Sequence, residues 1–435
     1  MLTLEDAPYP AGSDDHIRAI HRTRLPIAVE RARQSAFFKG KLDHIDISRL
    51  DDPDEWRKIP IMTKEQLREL PAESFYEDFC IGPRADVVEY WRSGGATGRP
   101  LFYPRSAMDL IYCMESFRRL WRAVDGRPDD IAHISFPMGI HPAGHLYARA
   151  AEEMGIATLW CGSGANTPSE LQIDLIRTLK PTIWAGMASY ALQLAQHAER
   201  IGFDLANCSV TRMITAAEPV SAGKRERVER LWGAELYDQF GCTEAAAMGV
   251  ESGDHDGMHF FTDLFHVEVV DETSHAPVAD GETGILVMTP LWSNNVTPFL
   301  RWSTGDYVVS KGKCATAGDL SVYPLIAHGA RTAGFFKVRG ININQSEMED
   351  FMHRIDTVTD FKIEAIETET LDGLRISVEL ARGVDGGTFT GFLQTRVKNA
   401  FELTPDVIML EPGTLEREFA GVIKQNRFID QRGGK

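Results

Sequence analysis

Apolar positions change rhythm repeatedly along the middle of the chain. In AMDLIYCMESFRRLWRAV, from Ala107, they fall three and four residues apart, the spacing of one helix face. DIAHISF then gathers them into a short strand-like run. AGHLYARAAEEMG returns to the helical spacing, with Gly155 where a left-handed C-cap is expected. The exchange continues through IATLWCG, SELQIDLIRTLK, TIWAGM, SYALQLAQHAERIG, VTRMITAAEP, SAGKRERVERLWG and AELYDQFG. Short strands alternating with helices predict βαβ units around a largely parallel sheet. Ligands of such sheets bind beyond the C-terminal ends of the strands.

The flanks read differently. Before the first hundred residues end, HIRAIHRTRLPIAVERARQSAFFKG and MTKEQLREL predict amphipathic helices, the second opened by a capping box of Thr63 and Gln66. Between Met258 and Val309, HFFTDLFHVEVVDE, GETGILVMTP and TPFLRWSTGDYVVS are β-rich and predict a smaller β-subdomain. After Ala330, SEMEDFMHRI and TFTGFLQTRVKNAFEL predict helices, FKIEAIETE and LRISVEL a hairpin around LDG, and DVIMLEP a last strand. The expected fold class is α/β, with a large N-terminal region over residues 1–330 and a compact α+β unit over 331–435.

Composition narrows the function. The 435 residues are 43% hydrophobic and 25% charged, ordinary for a globular protein of two or more domains. A net charge of −17 argues against a nucleic-acid surface, while leaving room for a small anion held by local amides and arginines. No apolar run reaches membrane-spanning length, and the acidic start MLTLEDAPYPAGSDD does not read as a secretory signal. The six cysteines are scattered without a CxxC pair, so neither disulfides nor a cysteine zinc site are expected, and a reducing cytoplasm fits.

The stretch WRSGGATGRP, from Trp91, sets Gly94, Gly95 and Gly98 beside Ser93 and Thr97 after a strand-like run. Lying between a strand and a helix, as the pattern suggests, such a loop exposes successive N–H groups and hydroxyls that can nest phosphate oxygens. A plain turn is the alternative. No Lys-Ser or Lys-Thr follows Gly98, so the stretch is not a GxxxxGK[ST] loop. Further segments follow it in order: AAEP at Ala216, YDQFGCTE at Tyr237, STGD at Ser303, ARTAGFFKVRGININQSEMED at Ala330 and PGTLEREFAGVIKQNRFIDQR near the end. Together these resemble the phosphate loop, adenine-pocket segment, aromatic–Gly–x–Thr–Glu motif, ribose-binding Asp motif, hinge and C-terminal lysine segment of the acyl-adenylate-forming enzymes. The length, the RGINI…E spacing and the PGTL…K…RFIDQR ending are similar to the phenylacetate–coenzyme A ligase branch. The resemblance covers nearly all the chain from about residue 60, and its specificity lies in the order of the six segments.

The resemblance implies a carboxylate–coenzyme A ligase that uses ATP, Mg2+ and coenzyme A as co-substrate, with a small-molecule carboxylic acid, aromatic, arylacetic or small and hydroxylated. No nucleic-acid or membrane partner is expected, and a homodimer is compatible with the sequence. It implies that Ser93, Gly94, Gly95, Thr97 and Gly98 cradle the β- and γ-phosphates, and that Thr243 bonds the α-phosphate while Glu244 binds magnesium. A helix N-cap with an acidic first turn is the other reading of Thr243 and Glu244. Ala217, Glu218 and Pro219 would shape the adenine pocket, with Tyr237 and Phe240 as its aromatic surface or as core. Asp306 would take the ribose hydroxyls, Arg331 the ribose or α-phosphate, and Lys424 the adenylation step. His141, with Trp184, Gly186, Met187, Tyr190 and Ala216, would line the acyl pocket, unless the latter group is ordinary core. His145 lies four residues from His141, but Pro142 and Gly144 intervene and no HExxH exists, so a metal pair is not expected.

The pattern departs from the family at Arg99-Pro100-Leu101 after the phosphate loop, at the hydroxyl lost within SGGATG, at Ala333 and Gly334 in place of acidic hinge residues, and at Ile423 before Lys424. These touch the thioester-forming half-reaction more than adenylation. Transfer of the acyl group to an amine or carrier-protein thiol is one alternative, and a non-catalytic nucleotide or acyl-adenylate sensor is another.

Overall fold

The computed structural model describes residues 13–93, 99–314, 318–329, 335–339, 341–367, 372–419 and 426–432, with 335, 336 and 342 as backbone. The chain opens with α1 (Asp14–Arg33), whose Ser13 side chain caps the His16 amide. Acidic Asp14 and Asp15 sit at its start and Arg31 and Arg33 at its end, both in favour with the helix dipole. Ile17, Ile20, Leu25, Ala28 and Val29 turn into the main core. Three short helices follow: α2 (Pro53–Trp56), α3 (Lys64–Glu69) and α4 (Phe75–Phe79). The Thr63–Gln66 capping box is present at the start of α3.

Next, β1 (Val87–Arg92) pairs antiparallel with β2 (Phe102–Ser106). The glycine stretch therefore joins two strands of a hairpin, not a strand and a helix. The helix begins only after β2, where Ser106 and Asp109 form a capping box for α5 (Ala107–Ala123). The sequence hid this because β2 is short and its Pro104 reads as a breaker.

The alternating segment then forms β3 (Ile131–Ile134), α6 (Pro142–Glu153), β4 (Ala157–Trp160), α7 (Ser169–Leu179), β5 (Ile183–Gly186), α8 (Ala188–Ile201), β6 (Arg212–Thr215), α9 (Ala222–Trp232) and β7 (Glu235–Cys242). Strands β4, β3, β5, β6 and β7 are neighbours in that order, all parallel. The β-rich stretch supplies β8 (Ala246–Glu251), β9 (Met258–Phe260), β10 (Phe265–Val270), β11 (Thr283–Pro290), β12 (Trp302–Lys313) and β13 (Pro324–His328). It does not stand apart. These strands extend the parallel set into one sheet of eleven, ordered β10-β11-β12-β13-β9-β8-β7-β6-β5-β3-β4. Strand β7 is the junction, parallel to β6 and antiparallel to β8.

The C-terminal unit contains β14 (Phe335–Val338), β15 (Ile341–Asn344), α10 (Gln345–His353), β16 (Val358–Glu367), β17 (Asp372–Leu380), α11 (Gly386–Phe401), β18 (Asp406–Leu410), α12 (Thr414–Glu418) and β19 (Phe428–Asp430). Its sheet runs β18-β17-β16-β19 around an apolar core of its own, including Ile343, Met348, Phe361, Ile376 and Leu393. The expected hairpin is the β16–β17 pair, while β19 adds a parallel edge that the sequence pattern did not announce.

Between this unit and the main sheet the contacts are polar. Lys224 of α9 reaches Glu349 of α10 at 2.5 Å, and the Gly223 amide donates to Asp350. Arg227 donates to the carbonyls of Val358 and Thr359, and Arg200 pairs with Glu416 at 2.6 Å. No helix among the described residues is long and apolar enough to cross a membrane.

Candidate active site

The candidate residues gather around the junction strand. Beyond β7 the chain turns through Thr243 and Glu244 directly into β8, with Ala246 at φ +75°. No helix starts there, so the N-cap reading of these two residues does not hold. The turn is instead fixed by Arg105 of β2, which donates to the carbonyls of Thr243 at 2.8 Å and Glu244 at 2.7 Å. Arg105 is fully buried, bonded also to Thr297, and its guanidinium lies 4.5 Å from the Trp91 ring centroid. A planar cation with five donors can hold two carbonyls at once, which a lysine could not do as rigidly.

The Glu244 side chain is buried and faces Lys64 Nζ at 3.4 Å. The Lys64 contact is to Oε1, which makes no shorter hydrogen bond among the described residues, and the Tyr103 hydroxyl lies near the same carboxylate. Burial, then the Glu244 charge, pushes the Tyr103 hydroxyl well up. A buried carboxylate held in this way by a long ion pair is the right chemistry for a hard divalent cation. The described residues contain no cluster of three potential metal ligands. One protein carboxylate is nonetheless enough for magnesium when phosphates complete the shell.

Ser93 lies at the end of β1, fully buried. Its amide donates to Leu101 O at 2.8 Å and its hydroxyl accepts from the Leu101 amide at 3.0 Å, so it pins the base of the glycine loop. Gly94, Gly95, Thr97 and Gly98 lie outside the described residues, as do Arg331, Ala333, Gly334, Ile423 and Lys424.

At the end of β6, Ala217 takes φ +73°, a conformation that costs a residue with a Cβ. It follows buried Ala216 and precedes Glu218 and Pro219. Glu218 Oε1 accepts from the Ser189 amide at 2.6 Å, tying this loop to the start of α8. In β7, Tyr237 and Phe240 are mostly buried, with Phe240 5.5 Å from Phe260 and 6.0 Å from the His328 ring. Asp238, on the Phe240 face of the strand, accepts from Thr215 Oγ1, the Gln239 amide and His328. Asp306 sits in β12, its amide donating to Thr304 Oγ1 beside Gly305 at φ +75°. Burial, then the Glu244 charge and more weakly that of Asp306, pushes the Cys242 thiol far up.

Of the residues expected around the acid, His141 is the N-cap residue of α6, its Nε2 3.3 Å from Arg92. Burial and the Arg92 charge lower its pKa, favouring the neutral ring. His145 turns away, with Nε2 3.0 Å from Gly139 O and its ring near Trp160. His141 and His145 line a groove of 340 Å³ with Tyr90, Trp91, Ile140 and Trp160. Trp184, Gly186, Met187 and Ala216 do not line it. Trp184 is fully buried against Trp232, and a Cβ at Gly186 would lie 2.4 Å from its ring. Met187 and Tyr190 are buried at the start of α8, where the Tyr190 hydroxyl meets Ser169 at 3.3 Å.

The model of the AMP-binding enzyme family matches residues 81–291, and that of the AMP-binding enzyme C-terminal domain matches residues 340–432. The chain belongs to the AMP-binding enzymes. Among curated relatives, it is 27% identical to the phenylacetate-coenzyme A ligase of Escherichia coli over 424 residues, 94% of each chain. It is 26% identical to that of Thermus thermophilus, over 96% of this chain and 97% of the relative. Among solved structures, 2-hydroxyisobutyryl-CoA ligase in its postadenylation state matches with a TM-score of 0.85 at 22% identity, over 99% of this chain and 94% of the other. In its thioester-forming state the same ligase matches with a TM-score of 0.68. The whole-chain geometry described here is thus nearer the first arrangement.

Within this AMP-binding enzyme, four residues at the junction were not singled out from the sequence. Lys64, Arg105, Asp238 and His328 each meet the site from a separate element. Asp238 stood inside the quoted YDQFGCTE segment, and a carboxylate beside two aromatics in a strand read as buried was the clue available.

Proposed function

We infer that the chain is an ATP-dependent carboxylate–coenzyme A ligase that works through an acyl-adenylate, on an aryl or small hydroxylated acid. The observation that carries this is the buried Glu244 carboxylate at the end of the junction strand, whose Oε1 meets Lys64 at 3.4 Å but makes no hydrogen bond among the described residues, in a chain whose two family matches span both its regions. The names of its relatives, phenylacetate and 2-hydroxyisobutyrate ligases, support the acid class.

In the first step a carboxylate oxygen attacks the α-phosphorus of ATP, the bond to the bridging oxygen breaks, and pyrophosphate leaves. Glu244 would hold Mg2+, which when bound offsets phosphate charge. Ser93 anchors the loop whose Gly94, Gly95, Thr97 and Gly98 amides would cradle the leaving phosphates. Arg105 fixes the turn that presents Thr243 to the α-phosphate. Asp306 would take the ribose hydroxyls and Arg331 the adjacent phosphate. Lys424 would supply positive charge to the pentavalent phosphorus, brought there by the C-terminal lid. In the second step the coenzyme A thiolate attacks the acyl carbon and AMP leaves, after the lid has turned away. Neutral His141 can donate to or accept from a polar substituent of the acid.

The deciding experiment is pyrophosphate release from ATP and magnesium across a panel of aryl, arylacetic and hydroxy acids, with and without coenzyme A. Release that needs one acid and coenzyme A, and vanishes in Lys424→Ala, is expected. Coenzyme A-independent release would move the acceptor to an amine or carrier thiol, a reading favoured by Ala333 and Gly334 at the hinge. No release with any acid would sink the ligase. Cytoplasmic fractionation and scattering mass would test the expected compartment and a homodimer.

A further inference from the structure

Between the β1–β2 hairpin, the start of α6 and the edge strand β4 lies the groove of 340 Å³, a size that takes a small molecule. It adjoins the candidate site. Its Trp91 wall packs on Arg105, the residue that holds the Thr243–Glu244 turn, and Ser93 at the base of the glycine loop follows two positions later.

Several of its polar groups are spent on one another. Arg149 reaches Glu89 with Nη1 at 2.6 Å and Nη2 at 3.3 Å, Trp91 Nε1 donates to Glu89 at 2.8 Å, and His145 is turned onto Gly139 O. His141 differs. Its Nε2 lies 3.3 Å from Arg92 Nη1. A guanidinium carries only donors, so Nε2 is the acceptor and holds no proton. Burial, then the Arg92 charge, lowers the His141 pKa and keeps the ring neutral. A neutral imidazole carries one N–H, which is therefore on Nδ1. A donor cannot cap a helix N-terminus, and His141 indeed stands at the N-cap of α6 without a side-chain capping bond. Its Nδ1–H has no partner among the described residues.

We propose that Arg92 is a positioning residue that sets substrate choice: by donating to Nε2 it fixes His141 as an Nδ1–H donor, so the groove selects a carboxylic acid bearing an oxygen acceptor (hydroxyl, ether or carbonyl) over one bearing an amine at that place. A hydroxyl oxygen accepts from Nδ1–H. A methyl group accepts nothing, and an amine sets its own hydrogens against that of the ring. Without Arg92 the proton exchanges between the two nitrogens, and the ring then serves an amine as well as a hydroxyl.

The inference rests on the ligase reading for its substrate, but one arm of its test does not. Histidine nitrogen NMR of the full chain at about pH 8, where the ring is neutral, reads the tautomer directly, with the His141 signals assigned by their loss in His141→Gln. Wild type should show Nδ1 alone protonated. Arg92→Met should show both forms, and Arg92→Lys, again a donor-only cation, the wild-type form. Pyrophosphate release is then compared for hydroxyl, amino and methyl analogues of whichever acid turns over. Wild type should favour the hydroxyl acid over both others by about tenfold or more in kcat/KM. Arg92→Met should lose hydroxyl over amino while keeping hydroxyl over methyl, a split that a merely structural defect would not produce. Arg92→Lys should restore it. Arg92→Gln, whose amide both donates and accepts, makes the same test should the Met variant not fold. An Nε2–H ring in wild type, or a hydroxyl-over-amino ratio unchanged in folded Arg92→Met, would overturn the proposal. Wild-type turnover that favours the amino or methyl acid would overturn it and leave the ligase reading standing. No release with any acid would sink the ligase reading, and the substrate role of the groove with it.

Discussion

The N-terminal region is held to itself and to the C-terminal unit by opposite means. Inside its own core, Arg119 forks onto Asp263 with both bonds at 2.8 Å and both side chains fully buried, amid aromatic and aliphatic packing. Across to the C-terminal unit, contacts are ion pairs and single donors to carbonyls: Lys224–Glu349, Arg227 to Val358 and Thr359, Arg354–Glu226, Arg230–Asp356 and Arg200–Glu416. A buried pair inside an apolar core cannot separate without leaving a charge unsolvated. Polar contacts at a domain boundary, even those of buried Lys224 and Arg227, regain water when the two surfaces part. The first arrangement specifies a fixed body, and the second joins two cores through groups that water can also satisfy.

The difference can be broken at several points, beginning with the largest effect. Asp263→Ala removes the forked pair of buried Arg119, leaving it Glu115 and the Tyr323 hydroxyl, and should cost about 3 kcal/mol of global stability, read from denaturant melts. A loss below 1 kcal/mol by the same melts would mean the core does not depend on that pair.

Lys224→Met acts at the boundary. It should remove on the order of 1–3 kcal/mol of docking and enlarge the radius of gyration by solution scattering, while the main melt shifts less than in Asp263→Ala. An unchanged radius would show that Lys224 does not hold the two units together.

The same contact sets an acid limit. Burial pushes Glu349 up, but the Lys224 charge and the His353 bond outweigh this and bring it from 4.5 to about 2. A lowered carboxylate stabilises docking fully above 4.5, and that contribution is lost as pH falls towards about 2. Scattering from wild type should therefore be constant between neutrality and about pH 4, whereas Lys224→Met should open within that range.

The smallest effect belongs to Arg230→Ala. Its pair with Asp356 is 2.7 Å long, but the side chains are 54% and 72% exposed. A change of about 0.2–0.5 kcal/mol is expected, disappearing in high salt; a larger one would make the boundary more than a set of exchangeable contacts.

Much of this was legible without coordinates. The alternation from Ala107 placed ten successive helices and strands, because each one carries its own periodicity. The β-rich stretch announced strands but not their partners. Alternation says which face is buried, not which strand lies beside it, and so it did not show that the expected smaller β-subdomain continues the parallel strands as one sheet. The glycine stretch was visible, yet its place in a β1–β2 hairpin was not, since that depends on a pairing across the loop. At the site, Thr243 and Glu244 could be singled out as chemistry, but the reading of them as a helix start failed because Arg105, over a hundred residues earlier, fixes the turn instead.

The sequence by itself determined the elements, the acidic balance and the order of chemical motifs, because each depends on residues near one another along the chain. Tertiary structure alone decided that β7 joins a parallel to an antiparallel half-sheet, that Arg105 holds the Glu244 turn, and that His328 meets Asp238 from 90 residues away. The reason is physical. A buried polar group must find its partner wherever the packed chain brings one, and no local pattern records where that will be.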